Sequence, residues 1–330
     1  MLFIAASLVI YFSIPSRRDF DLTKKHAVVT GGSKGIGYQI AVSLLKRGAN
    51  VTIIARKQVD LESASVKLQK IADALGQRQK VQWKALDMSS SYETIKNVFD
   101  AAVKDFGPVD VLVNNAGVSV QARFEELPVT DFAAQMQVNY LSAVYATRAV
   151  VESMKERKTG HISFVSSAAG QFAIFGYTAY SPSKFAIRGF ADALHMELLP
   201  FKVNVALLYP PNTDTEGFKV EQETMPEEVR LISDAAGLYS AEYVGEKHVE
   251  DIVAGQYCTS IGLEGWMLAS TTAGACPEKS LWKALAQTLL AGLFRGITLV
   301  YLGYFNGIVK KLYKQSLLEK EDEKTDKKSE

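Results

Sequence analysis

Tyr180 and Lys184 stand four residues apart in Tyr180-Ser181-Pro182-Ser183-Lys184, a spacing that puts both side chains on one helix face. A free tyrosine has a pKa of about 10 and gives up its proton poorly at neutral pH. A neighbouring ammonium would lower that value and make the phenol a useful general acid–base. Upstream, Ser167 follows the apolar run HISFVS (161–166). If that run is a strand of an open α/β sheet, Ser167 sits at its carboxyl end, the edge where such sheets bind ligands.

A second group could hold a phosphate. Thr30-Gly31-Gly32-Ser33-Lys34-Gly35-Ile36-Gly37 follows the apolar run HAVVT (26–30) and leads into a helical stretch. Backbone N–H groups at such a turn approach a pyrophosphate only where no Cβ obstructs them, and the helix N-terminus adds partial positive charge. Gly31, Ser33, Lys34, Gly35, Ile36 and Gly37 are therefore candidate dinucleotide contacts. At the end of the second strand, where an NAD site carries an acid for the ribose 2′-hydroxyl, Ala55 is followed by Arg56 and Lys57. An acid would repel a 2′-phosphate, whereas a guanidinium pairs with it bidentately, and Lys34 could add a second cation. The pattern predicts NADPH.

The scaffold for these groups lies between residues 23 and 210. Short β-branched runs at 26–30, 51–55, 81–86, 109–113, 161–166 and 203–208 alternate with helical stretches at 36–47, 60–75, 91–105, 130–157 and 178–198. This alternation predicts right-handed βαβ units in a Rossmann-like, doubly wound parallel sheet with helices on both faces. Residues 212–235 break the pattern. A helix near 241–255 and a strand near 262–269 are expected to close a sheet of about seven strands.

The motifs recur in a fixed order: the TGxxxGIG loop (30–37), Asp87 after the third strand, Asn114-Asn115-Ala116-Gly117 after the fourth, Asn139 in the next helix, then Ser167, Tyr180 and Lys184. Over about residues 23–270 the chain resembles the short-chain dehydrogenase/reductase family. The resemblance implies that Ser167 binds the substrate oxygen and that Tyr180 exchanges a proton with it. It also implies that Lys184 holds the nicotinamide ribose, that Asn139 positions a water, and that Asp87 contacts the adenine beside Asn115, Ala116 and Gly117. Many family members carry Pro-Gly after the sixth strand; this chain has Tyr209-Pro210-Pro211-Asn212-Thr213. Pro210 and Thr213 are the expected cofactor contacts there, although Pro211 restricts the backbone. The long helices near 91–105 and 130–157 form dimer faces in relatives, which implies a homodimer or homotetramer.

The 37 Lys and Arg balance 36 Asp and Glu, so the chain lacks the basic footprint of a nucleic-acid binder. Cys258 and Cys276 form no CxxC, and His26, His161, His195 and His248 are isolated, so neither disulfide nor metal is expected. A mean hydropathy of +0.02 conceals two apolar ends. Residues 2–14 carry no charge and precede Arg17 and Arg18, which reads as an uncleaved anchor over 1–18, with a removed signal segment as the alternative. After a reductase domain at 19–275, residues 276–311 form a second membrane-associated segment. Its core, 281–309, reads as a tilted span, a re-entrant hairpin or an interfacial helix; the central Arg295 favours the last two. Lys310, Lys311 and Lys314 suggest a cytosolic exit, and 312–330 read as a charged, disordered tail. Lys327-Lys328 resemble a dilysine signal for retrieval to the endoplasmic reticulum.

Residues 175–198, 209–218 and 292–305 resemble a branch of the family that reduces a long-chain keto-amine lipid with NADPH. That branch works at the endoplasmic-reticulum membrane, facing the cytosol. Phe172, Ile174, Phe175, Tyr177 and Phe218, apolar neighbours of the proposed centre, agree with a lipid substrate. A membrane-associated steroid or retinoid reductase of the same family is the nearest alternative.

Overall fold

The structure is a computed structural model describing residues 9–14, 19–76 and 78–329. Most of the expected N-terminal anchor, residues 1–8 and 15–18, lies outside the described residues; 9–13 form a short helix, α1.

All six β-branched runs are strands: β1 (His26–Thr30), β2 (Asn50–Ala55), β3 (Val81–Ala85), β4 (Val111–Asn114), β5 (Gly160–Val165) and β6 (Val203–Tyr209). Two short strands, β7 (Thr213–Asp214) and β8 (Tyr239–Ser240), pair with each other, and β9 (Cys258–Ser260) joins the main sheet. The main sheet has seven parallel strands in the order β3-β2-β1-β4-β5-β6-β9. Alternate residues feed opposite cores. Val29 and Ile53 pack with Leu44 and Leu68 on one face, while Val28 and Ile54 pack with Phe99 and Phe164 on the other. Burial on both faces is why the inner strands read as continuous apolar runs, whereas the edge strand β3, only half-buried, reads VQWKA.

The helices are α2 (Gly35–Lys46), α3 (Gln58–Leu75), α4 (Tyr92–Phe106), α5 (Val129–Met136), α6 (Ser142–Arg157), α7 (Tyr180–Leu198), α8 (Glu216–Thr224), α9 (Glu227–Ser233), α10 (Ala241–Val253), α11 (Gly262–Thr271) and α12 (Leu281–Ser329). Three differ from the sequence expectation. The stretch 130–157 is not one regular helix: a π turn at Gln137–Leu141 separates α5 from α6 and turns Asn139 into the interior, 3% exposed. The closing strand is the three-residue β9, and 262–269 are helical. A short apolar run does not by itself distinguish helix from strand. Finally, the C-terminal segment is neither a hairpin nor a helix ending in a loose tail. α12 continues through the Lys/Glu-rich end, whose residue types propagate helix well.

The strand order reverses between β1, which pairs with β2, and β4, which pairs with β1 on the other side. The loops after β1, β4, β5 and β6 therefore converge on one crevice, the expected ligand position for this topology.

Candidate active site

The glycine loop turns between β1 and α2 with Gly31 at φ +65° and Gly35 at φ +54°, backbone that L side chains rarely adopt. A Cβ on Gly37 would sit 2.4 Å from both Asn115 Nδ2 and the Gly31 carbonyl oxygen. These glycines thus admit the neighbouring loop as well as any phosphate. Asn115 Nδ2 donates to the carbonyls of Thr30 and Gly31 at 3.0 and 3.1 Å. Thr30 Oγ1 accepts from the N–H groups of Asn115 and Ala116, which locks the β4 loop to the glycine turn. At the α2 N-terminus Lys34 provides no side-chain cap, and the first turn holds no acid. Its leading N–H groups are left to a ligand, which fits a pyrophosphate.

Arg56 and Lys57 follow β2 and are exposed. Arg56 lies near Asp87, whose carboxyl is held below its usual range first by the Ser89 backbone N–H and also by the Arg56 charge. Asp87 Oδ1 accepts from Ser89 N–H at 2.9 Å and from its hydroxyl at 2.8 Å. Lys34 is already engaged, pairing with Glu216 at 2.9 Å and Asp60 at 3.3 Å. Arg56 makes no ion pair within 4 Å among the described residues, so of the three cations it and Lys57 are the better placed for a 2′-phosphate.

At the crevice floor, Ser167 caps the one-turn helix Ala168–Gly170, accepting from Ala169 N–H at 3.1 Å. Its hydroxyl also hydrogen-bonds with Tyr180, so the two hydroxyls meet at one point of the crevice. The Ala168 N–H donates to the Pro210 carbonyl at 3.0 Å, tying this loop to the one after β6. There Pro211 is accommodated, its carbonyl accepting from Thr213 Oγ1 at 2.8 Å. Tyr180 opens α7, and Lys184 lies one turn on, 5% exposed, with Nζ donating to the Val165 carbonyl at 3.1 Å. Asn139 makes three hydrogen bonds: Oδ1 accepts from Val118 N–H at 2.8 Å, and Nδ2 donates to the Val118 carbonyl and Ser183 Oγ, both at 2.9 Å. It clamps the β4 loop to α7. A Cβ on Gly117 would meet Asn139 Oδ1 at 3.1 Å and Lys184 Nζ at 3.4 Å, so all three share one corner.

Burial pushes the Tyr180 phenol above its ordinary value, the charge of Glu221 adds to this, and the hydrogen bond with Ser167 opposes it. Burial also pulls Lys184 down to about 8, and its Nζ lies 5.6 Å from the Tyr180 ring centroid. With a pKa of about 8 the ammonium still carries its charge at neutral pH.

Ser167 and Tyr180 open into a cavity of about 530 Å³, also lined by Phe172, Ile174, Tyr177 and Phe218. The expected neighbour Phe175 does not line it. The sequence reading missed the opposite wall: Leu263, Met267 and Leu268 of α11, and Ile297, Thr298, Tyr301 and Phe305 of α12. Their three- and four-residue spacing was the available signal, masked because residues 281–309 of α12 are apolar on most of their circumference. Glu221, one turn after Phe218 in α8, also faces the cavity and was missed.

The comparisons agree with this geometry. The sequence profile of the short chain dehydrogenase family matches residues 25–226. A 3-ketodihydrosphingosine reductase of Bos taurus is 45% identical over 314 residues, 94% of each chain. A 3-dehydrosphinganine reductase of Danio rerio is 45% identical over 93% of each, and one of Arabidopsis thaliana is 34% identical over 85% of this chain and 84% of its own. Among solved structures, an alcohol dehydrogenase of Thermococcus sibiricus complexed with 5-hydroxy-NADP superposes with a TM-score of 0.57 at 28% identity, over 67% of this chain and 87% of that one. With the glycine turn, the Asn115 lock and the Ser167, Tyr180 and Lys184 corner in the order this family uses, the chain belongs to the short-chain dehydrogenase/reductase family.

Proposed function

We propose that the protein reduces 3-ketosphinganine to sphinganine with NADPH, on the cytosolic face of the endoplasmic reticulum. The observation that carries this reading is the cavity: a hydroxyl pair at its base, and walls that are otherwise mainly apolar and partly built from a helix with a second apolar surface. Near-full-length similarity to 3-ketodihydrosphingosine reductases supports the substrate. Its volume falls within the roughly 300–1,000 Å³ usual for ligand pockets.

NADPH bound along the glycine turn supplies the hydride for the carbonyl carbon. Ser167 donates to the carbonyl oxygen and polarises it, and Tyr180 delivers the proton that completes the alcohol. Lys184, with one N–H on Val165, has donors left for the nicotinamide ribose. Asn139 holds the Val118 backbone and Ser183 in register, and the second lone pair of its Oδ1 can accept a hydrogen from the water of the proton relay. Asp87 would take the adenine of the bound cofactor, and Pro210 and Thr213 would hold its carboxamide. The purified protein should consume NADPH with 3-ketosphinganine and yield sphinganine. Turnover of a steroid or retinal ketone with none of 3-ketosphinganine would overturn the reading.

Arg56→Ala tests the cofactor. Losing a charge-assisted bidentate contact should cut kcat/KM for NADPH by about 10- to 100-fold and leave NADH nearly unchanged. An unaltered NADPH preference would assign the 2′-phosphate elsewhere.

Among the described residues, α12 is the one helix long and apolar enough to cross a membrane. One stripe of the stretch that a perpendicular span would place in lipid, Phe294, Ile297, Thr298, Tyr301 and Phe305, faces the catalytic domain instead. This supports an interfacial helix lying on the bilayer. The domain division at 1–18, 19–275, 276–311 and 312–330 and self-association through α4 and α6 belong to the same proposal.

A further inference from the structure

We propose that Glu221 is the binding site for the substrate's ammonium group, the second polar anchor beside Ser167 and Tyr180. The inference rests on the substrate assignment above, since only an amino ketone offers a cation next to the reacting carbon.

The placement is specific. Glu221 lines the same cavity as Ser167 and Tyr180, on the α8 face that also presents Phe218. Its carboxylate is held in place: Gln121 Nε2 donates to Oε2 at 3.0 Å, and Ser119 also hydrogen-bonds to it. Gln121 is 4% exposed and donates to Ser119 Oγ at 2.7 Å as well, so the carboxylate rests on a buried polar support. Among the described residues no lysine or arginine pairs with Glu221 within 4 Å. Burial raises its pKa, the sign of an anion short of solvation, and its charge reaches Tyr177, Tyr180 and Lys184, the groups around the reacting centre. An ammonium one carbon from the carbonyl held by Ser167 and Tyr180 would enter this region and supply the missing counter-charge. Fixing both the carbonyl oxygen and the amine, with the alkyl chain along the apolar wall, also determines which carbonyl face is presented.

The experiment compares 3-ketosphinganine with the matching hydroxyketone that lacks the amine, in wild type, Glu221→Gln and Glu221→Asp. NADPH binding in each variant serves as the check on folding. Glu221→Gln should lower kcat/KM for the amino ketone by about 10- to 100-fold relative to the amine-free ketone, and Glu221→Asp should keep most of the preference. Equal loss on both ketones would mean that Glu221 acts only on Tyr180 or on the fold, and equal retention would mean no contact; either overturns the inference. Wild-type enzyme that reduces the amine-free ketone but not 3-ketosphinganine overturns the substrate assignment itself. A normal wild-type preference left untouched in Glu221→Gln overturns the ammonium site alone.

Discussion

Tyr180→Phe is expected to lower turnover of 3-ketosphinganine by about 10³-fold or more, within the range of 10²–10⁴ that a positioned general acid contributes. NADPH affinity should stay within about twofold, because the loss is confined to one hydroxyl facing the cavity, while the glycine turn and Lys184 are unchanged. The raised pKa of Tyr180 sharpens the expectation. A phenol pushed above its ordinary value keeps its proton throughout the neutral range, which suits delivery to a nascent alkoxide. The reverse reaction needs the phenolate as base, so sphinganine oxidation should be slow at neutral pH and accelerate as pH rises. Initial rates in both directions across pH, with dinucleotide fluorescence titration of the variant, decide the matter. Substantial turnover by Tyr180→Phe would mean that solvent or Ser167 delivers the proton.

What could be read in advance followed the chain's local rules. Strands β1, β2, β4, β5 and β6 announced themselves because burial on both faces selects β-branched runs, and the Gly31–Gly37 turn because its backbone tolerates few alternatives. Tyr180 and Lys184 were found through helical spacing, and Ser167 through its place at a strand end. Three features lay beyond local rules. The π turn at 137–141 leaves no compositional mark, yet it aims Asn139 between Val118 and Ser183. The Tyr180 pKa depends on Glu221, which lies 41 positions further along the chain and approaches only when α8 folds over the crevice. The strand expected at 262–269 is instead α11, which packs on α12 and brings Met267 and Leu268 to the cavity. In each case the deciding contact is tertiary.

The wall formed by α12 carries the second large effect. Ile297→Ala together with Phe305→Ala should reduce kcat/KM for 3-ketosphinganine by about 100-fold, leaving a short-chain amino ketone with the same head group within about threefold. Burying one large apolar side chain is worth about 1.5–3 kcal/mol, and both residues are only half-buried, so about 3 kcal/mol is the expected joint loss. At 1.36 kcal/mol per tenfold in rate, that is about 100-fold. Alanine keeps the helix, so the variant tests lining rather than folding. A second stripe on α12 is exposed: Leu289 at 60%, Leu293 at 62% and Val300 at 74%. Lysine substitutions there should weaken flotation with phospholipid vesicles, the residue 1–18 anchor holding what remains, while preserving activity on micellar substrate. If the two sets of variants separate in this way, one helix both holds the enzyme at the bilayer and receives the alkyl chain leaving it. Equal loss on long- and short-chain ketones in the alanine pair would reduce α12 to a structural brace, and unchanged rates on both would leave it an anchor only.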